Sequence, residues 1–391
     1  MPLTTYAESA PVAPLMMRET GSRTMPPWPP STELPCRPLQ NAKSLTDHEI
    51  DLIADWAQHG TPEGNPADYH APTITPEGRM LPPAGDLSLS IQGPYSPVAN
   101  GTRDDYHCFV LDPQLTTSRD VIGVRVTPGN ARIVHHALLY EIRAESLAAL
   151  QQLDDATPEP GYPCFGGTGI PVRAAAAPTG SAELADFNQQ GIGGWAPGSE
   201  AAYLPDGTGI RLASGSRIVI QLHYSLANEP SGATDQTHVD LYYSPQPVAS
   251  PALWMYAANG SFTIPAGAGP LDPRATVSGI QTPFASTRLF GVAPHMHLLG
   301  RSIRVDLLHG VGSADCLVNI PNWEFHWQQS YWFREPMTVT SGVDSFQVSC
   351  TYDNTAANQP VLGGMQQTPH DLHWGENTSD EMCLAFLYIA R

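Results

Sequence analysis

The feature that most constrains this chain is the spacing of its turn formers. Gly (34) and Pro (39) together make up about a fifth of the 391 residues, against an ordinary share of roughly 12%. Proline breaks helix interiors and is confined to the edges and ends of strands, so long helices and long central strands are both disfavoured. Between these breaks lie short runs with β-branched residues and period-two alternation: Val121–Val126, Arg217–His223, Val239–Tyr243, Ser302–Leu308 and Ser345–Tyr352. Each sits close to Gly, Pro, Asn or Asp, which is the pattern of antiparallel sandwiches. A further break at Pro245–Pro251 divides the β-rich part in two. The expectation is a mainly β chain with one sandwich over 87–248 and a second over 249–391. This agrees with the two or three domains implied by roughly 100–200 residues per domain.

The first 65 residues read differently. Pro26, Pro27, Pro29 and Pro30 flank Trp28 in a segment that cannot be helical. Thr46 and Glu49 then form a capping-box signature ahead of Ile50, Ile53 and Ala57, with Gly60 as the stop. One helix over 46–59 is expected here, in a segment too small for a core of its own. Residues 66–86 are rich in Pro, Gly and Asp and read as a linker.

Composition excludes several classes of function. The formal charge of −19 disfavours nucleic acid and anionic membrane surfaces as partners. Apolar runs such as Ile218–Leu222 fall far short of the roughly 20 residues that span a bilayer. Six cysteines without a CxxC exclude rubredoxin, zinc-ribbon and thioredoxin chemistry. They are open to two readings, up to three disulfides in an oxidising compartment or six buried thiols. Met1–Thr20 shows no basic segment followed by an apolar core, so no signal peptide is visible.

Four groups of possible metal ligands stand out: His135 with His136, His223 at the end of an apolar strand, the pair His295 and His297, and Met382 near the C-terminus. Residues i and i+2 of a strand share a face, so His295 and His297 can chelate one ion, or be two solvated histidines. Adjacent His135 and His136 would point to opposite faces, and share an ion only at a strand end, a twist or a bulge. His223 alone reads as a half-buried strand residue and Met382 alone as core. Taken in order, His135/His136/His223 and His295/His297/Met382 each supply three neutral donors and leave a coordination position open. A thioether beside two imidazoles selects soft Cu(I) over zinc, and so points to redox or oxygen chemistry.

The order HH, QLHY, HxH followed by LxGR, and DEMC resembles the copper type II, ascorbate-dependent monooxygenases, the peptidylglycine α-hydroxylating and dopamine β-monooxygenase type, with bacterial relatives. The resemblance covers about 100–391, from Asp105-Tyr106-His107-Cys108 through Val134-His135-His136, Gln221–Tyr224 and Pro294–Arg301 to Thr378–Cys383. It implies two antiparallel jelly-roll sandwiches, each bearing one copper ion, facing across a water-filled cleft. His135, His136 and His223 then look like the electron-storing copper site. His295, His297 and Met382 look like the catalytic site where dioxygen meets a small-molecule substrate, with ascorbate or a similar donor as reductant. An electron-donor domain or protein is a possible partner. The family counterparts of Cys350–Cys383 and Cys108–Cys164 look like disulfides, whereas Cys36 and Cys316 find no place. A periplasmic or extracellular location follows from the same resemblance.

Departures limit what the resemblance carries. Ala293 stands where the peptide-amidating enzymes hold a substrate carboxylate with arginine, and Leu384 and Phe386 replace an Asn and a Tyr. A peptide ending in glycine is therefore not supported as substrate. Glu376 and Asp380 read as solvated loop carboxylates, and His107, His326, His370 and His373 are not read as ligands. Met25-Pro26-Pro27-Trp28 and the helix with Trp56 resemble the back half of a c-type cytochrome domain in a truncated gene product. No CxxCH is present, so no haem is expected in this chain as written. The competing readings are a copper-binding or electron-transfer protein without turnover, and a pair of adhesive sandwiches with incidental histidines. Multicopper oxidases need several HxH pairs, and cupins a Glu just after theirs. Neither pattern fits.

Overall fold

The computed structural model describes residues 3–31, 36–40, 42–68, 80–98, 104–165, 167–172, 188–197, 199, 201, 203–226, 232–281, 287–310, 312–325, 327–340, 342–362, 365–375, 377 and 379–390. Much of the expected linker 66–86, together with His326 and Glu376, lies outside these residues.

Among the described residues, three α-helices precede the sandwiches, α1 (Tyr6–Ser9), α2 (Ala13–Gly21) and α3 (Asp47–Gln58). The last is the expected helix. Its Thr46 and Glu49 close the capping box, and Gly60 at φ +79° lies in the left-handed region just beyond it. The two earlier helices add to the single helix expected for this segment. Thr5 and Glu8 form a second capping box, and Pro14 sits in the first turn of α2, where a missing N–H costs nothing.

The first sandwich contains β1 (Leu87–Ser90), β2 (Asp104–Leu111), β3 (Arg119–Thr127), β4 (Val134–Ile142), β5 (Tyr162–Pro163), β6 (Gln189–Trp195), β7 (Thr208–Leu212), β8 (Arg217–Ser225) and β9 (His238–Tyr243), with helix α4 (Leu147–Asp154) after β4. The second contains β10 (Ser250–Ala258), β11 (Thr263–Ile264), β12 (Thr276–Gln281), β13 (Thr287–His295), β14 (Gly300–His309), β15 (Ser313–Ile320), β16 (Tyr331–Val339), β17 (Asp344–Tyr352), β18 (Val361–Leu362), β19 (Met365–Gln366), β20 (Leu372–His373) and β21 (Leu384–Ala390). All five runs picked out by alternation fall within strands: β3, β8, β9, β14 and β17.

A five-stranded sheet, β5-β2-β8-β4-β6, forms one layer of the first sandwich, and β12-β17-β14-β15 forms one layer of the second. The remaining layer is shared. One eight-stranded sheet, β1-β9-β3-β7-β10-β21-β13-β16, runs through both halves. Its halves meet where β7 and β10 pair in parallel, Thr208 with Ser250 and Gly209 with Pro251. Ala252, Phe290, Tyr388 and Ala390 of the second half are packed into the core of the first, and Tyr388 Oη lies 3.0 Å from Thr208 Oγ1. The sandwiches are thus joined by backbone hydrogen bonds and a common core.

The N-terminal segment docks on the second sandwich. Trp28 meets Tyr331 edge-on at 5.6 Å, Ser31 N–H donates to Asn319 O, and Leu39 pairs with Phe333. Cys36 is disulfide-bonded to Cys316 of β15, which places the two cysteines that pattern reading left unassigned. Cys108–Cys164 and Cys350–Cys383 are bonded as the resemblance implied.

Candidate metal centres

His135, His136 and His223 converge. One ring nitrogen from each lies within 4.8 Å of the others. His136 and His223 are register partners on adjacent antiparallel strands, and the ladder shifts between Val134 and His136. That bulge answers the objection to adjacent histidines, because it frees His135 from strict alternation and turns its ring toward the same space. His136 Nδ1 lies 3.2 Å from His135 Nδ1 and 3.3 Å from His223 Nδ1. Ligand nitrogens about 2.0–2.1 Å from a metal at tetrahedral angles are about 3.3 Å apart, so the spacing fits an ion bound through Nδ1.

The surroundings fix the His223 tautomer. Its Nε2–H donates to Asp104 Oδ1 at 2.9 Å, leaving Nδ1 as the lone-pair nitrogen, the arrangement of a carboxylate–histidine–metal triad. Tyr106, its register partner on β2, stacks on the ring at 4.2 Å and 5°. Burial, and then His223, His135, His295 and His297, hold the His136 imidazole well below its ordinary pKa and so keep it a neutral donor.

The second set is built at the end of β13. Same-strand geometry predicted for His295 and His297 holds only in part, since the strand stops at His295 and His297 lies in the turn that leads to β14. Met296 between them is fully buried, and the two rings sit 5.1 Å apart at 87°. His295 Nδ1 lies 2.6 Å from Gln328 Oε1, while Gln328 Nε2 donates to Phe325 O at 2.7 Å. The second bond fixes which end of the amide faces the ring. His295 Nδ1 must therefore be the donor, and Nε2 carries the lone pair. His297 Nδ1–H donates to Asp380 O at 3.1 Å, with the same consequence. Burial pushes His297 well below its ordinary pKa and His295 down to about 4.

The segment bearing Met382 packs against this turn. Glu381, fully buried, accepts hydrogen bonds from His297 N–H at 3.0 Å and Leu299 N–H at 2.7 Å. Burial raises its pKa to about 8, against the lowering effect of those donors. Met382 is 8% exposed, and its carbonyl accepts from Tyr352 Oη at 2.7 Å. Cys383 ties the next residue to Cys350. Gly300 closes the turn, where an added Cβ would lie 2.8 Å from Met296 Cε and Trp323 Cδ1. Trp323 Nε1–H in turn donates to His297 O at 3.1 Å.

Phe325, 7% exposed, stacks on His135 at 4.6 Å and meets His297 edge-on at 6.1 Å. Asp104, Gln328, Trp323, Phe325 and Glu381 were all missed by pattern reading, because each acts through a contact distant in sequence. Of the histidines not read as ligands, His107 is buried between Tyr95 Oη and Pro160 O, and His370 and His373 are exposed. Asp380 accepts from Asn377 and organises its own loop.

Residues 274–390 match the family model described as copper type II ascorbate-dependent monooxygenase, C-terminal domain. DBH-like monooxygenase protein 1 of Homo sapiens is 24% identical over 374 residues, covering 89% of this chain and 55% of that protein. Dopamine beta-hydroxylase of Rattus norvegicus is 24% identical over 324 residues, 77% of this chain and 48% of that protein, and that of Bos taurus is 24% identical over 325 residues, with the same coverage. These matches support the copper type II monooxygenase family. The chain spans about half the length of the curated relatives it matches.

Proposed function

We propose that this chain is a copper-dependent monooxygenase that hydroxylates a C–H bond of a small organic substrate, with dioxygen as oxidant and ascorbate or a similar donor as reductant. His135, His136 and His223 would hold one copper ion, and His295, His297 and Met382 a second. The observation that carries this reading is the convergence of three histidines, with His136 Nδ1 3.2 Å from His135 Nδ1 and 3.3 Å from His223 Nδ1, a spacing compatible with a bound metal. Copper in these sets would supply one-electron redox chemistry and activation of dioxygen.

The chain's own residues prepare both sets. Asp104 orients His223, and Gln328 and the Asp380 carbonyl orient His295 and His297, so that the lone pairs are presented without rearrangement. Burial keeps His136, His295 and His297 unprotonated at neutral pH, so no proton need leave before metal binds. Ala293 and Phe386 are register partners beside the second set, and Leu384 pairs with His295. The strip next to His295 is apolar where a peptide carboxylate would need a cation, which favours a neutral substrate over a glycine-extended peptide.

Three disulfides fit an oxidising compartment and favour a periplasmic or extracellular site of action. The likeness of 1–65 to half a c-type cytochrome domain belongs to the same reading, as does an external electron donor. Metal analysis combined with ascorbate-dependent oxygen uptake over a panel of neutral and aromatic compounds tests it. Substrate-dependent uptake with hydroxylated product is expected. Copper bound without uptake across the panel would favour a copper-binding or electron-transfer protein instead.

A further inference from the structure

One side of the second sandwich is closed by chain that is distant in sequence. Among the described residues its two layers end in the edge strands β15 and β16. Residues 28–31 and 36–40 lie across both edges. On β15, Asn319 O accepts from Ser31 N–H at 2.8 Å and Cys316 O from Arg37 N–H at 3.0 Å. On β16, Trp332 O accepts from Gln40 N–H at 2.8 Å, Arg334 N–H donates to Pro38 O at 2.9 Å, and Leu39 pairs with Phe333. An open edge strand presents unpaired N–H and C=O groups, so this strap completes hydrogen bonds in both layers. The loop that joins β15 to β16 carries Trp323, whose indole N–H bonds the His297 carbonyl, and Gln328, which bonds His295. Ser31 at Asn319 and Trp28 at Tyr331 grip the two stems of that loop.

One covalent bond fastens the strap, from Cys36 to Cys316 of β15. The three disulfides differ in setting. Cys108, Cys164, Cys350 and Cys383 are all buried, whereas Cys36 and Cys316 are both only half-buried. Thiol exchange needs access of an attacking thiolate to a sulfur, and exposed disulfides form the labile, regulatory class. Neither cysteine is among the six candidate ligands or the side chains that orient them, so breaking this bond leaves every donor in place.

We propose that Cys36–Cys316 is a redox-active clasp, a site of exchange with a dithiol reductant that loosens or tightens the second metal centre. A thiolate of the reductant attacks one sulfur and breaks the Cys36–Cys316 bond, and the second thiol of the reductant resolves the mixed disulfide. Two electrons and two protons pass to the cysteines, and the reductant leaves as its own disulfide. The strap is then held by backbone hydrogen bonds, side-chain bonds from Gln40 and Arg334, and the Trp28 ring. Contacts of this kind at a solvent-facing edge open locally without global unfolding. Opening frees the stems of the loop, and Gln328 no longer holds His295 in one tautomer. The effect on metal rests on the reading that the second set binds copper; the selectivity of the exchange does not.

The test takes the full, metal-free chain through a graded series of dithiothreitol, with differential alkylation and peptide mapping to identify the bond that opens. Cys36 and Cys316 are expected to be labelled while the other four cysteines stay protected. At that stage amide hydrogen exchange at Ser31, Arg37, Gln40 and Arg334 is expected to quicken. Opening of all three bonds together, or of either buried pair first, would overturn the exchange site. Selective opening with unchanged amide exchange would make the bond a static staple and overturn the switch. Competition titration with Cu(I) then compares the wild type with the double variant Cys36→Ser, Cys316→Ser, which needs no reductant. Second-set affinity is expected to fall by about 10-fold, with the first set unchanged. If the double variant does not fold, the selectively reduced and alkylated wild type takes its place. Equal affinity in the two proteins would also overturn the switch. A wild type that binds copper at the first set alone would count against the second ligand set, while the mapping and amide exchange still decide the clasp.

Discussion

His223 donates from Nε2 to Asp104 Oδ1 at 2.9 Å, and both side chains are almost completely buried. A buried carboxylate on the far nitrogen of a ligating imidazole orients the ring and raises its basicity. Asp104→Ala should therefore weaken metal binding at the first set by about 10–100-fold. Asp104→Asn, which keeps an acceptor but not the charge, should lose less. Competition titration against a chelator of known affinity measures both, and an unchanged affinity in the alanine variant would remove Asp104 from the site.

Gln328 makes the corresponding contact at the second set. Gln328→Leu removes the acceptor for His295 Nδ1–H and frees the ring to adopt the other tautomer. Affinity at the second set should fall by about 10–100-fold, with the first set unaffected. Equal weakening of both sets would indicate loop collapse instead of tautomer control.

The Cys350–Cys383 bond closes a 33-residue separation directly beside Met382. A loop of that size constrains the unfolded chain by about 3–4 kcal/mol in the chain-entropy model. Replacing both cysteines with alanine should lower stability by that order in denaturant titration. Second-set metal affinity should fall with it, because Met382 loses its anchor. Full stability in the double variant would show that packing alone holds this segment.

His309 gives the fold a pH-dependent contact away from the metal sets. Its Nδ1 bonds Asp344 Oδ1 at 2.9 Å and its Nε2 lies 3.4 Å from Asp315 Oδ2. The Asp344 hydrogen bond raises the His309 pKa above its ordinary 6.5. The stabilisation is therefore complete below that value and is lost as pH rises through the raised folded value. Asp344 is lowered from 3.8 despite burial acting the other way, by bonds from Thr340 and His309, so its share is lost only as pH falls through that lower value. His309→Gln should lower Tm near about pH 5.5 and have little effect near about pH 9, with an effect below about 1 kcal/mol because the His309 side chain stays a third exposed beside the buried Asp344. A larger effect at the higher pH would reverse the assignment.

Much of this was legible in the chain itself. Alternation in the runs within β3, β8, β9, β14 and β17 revealed the sandwiches; β17 buries one face and half-buries the other, whereas β8, central in its sheet, is buried on both faces from Ile218 to Tyr224. The order of His135, His136, His223, His295, His297 and Met382 revealed the candidate ligands. What pattern reading left open was whether two adjacent histidines could share one space, which the bulge at the start of β4 decides. Other features rest on pairings that no local signal marks. Thr208 meets Ser250 across a parallel join, Cys36 meets Cys316 over a separation of 280 residues, and Gln328 reaches His295 from the next loop but one. Pro14 conceals α2 for a related reason, since a proline inside a run signals a break unless it falls in the first turn.

Two donor sets, one all-imidazole and one containing a thioether, are proposed to bind one copper ion each. X-ray absorption at the copper edge on the fully loaded, ascorbate-reduced protein tests that assignment most directly. About two copper ions per chain are expected, with nitrogen shells typical of imidazole and a copper–sulfur shell at partial occupancy that disappears in Met382→Ala. A spectrum without sulfur in the wild-type protein, or a sulfur shell that persists after Met382 is replaced, would contradict it.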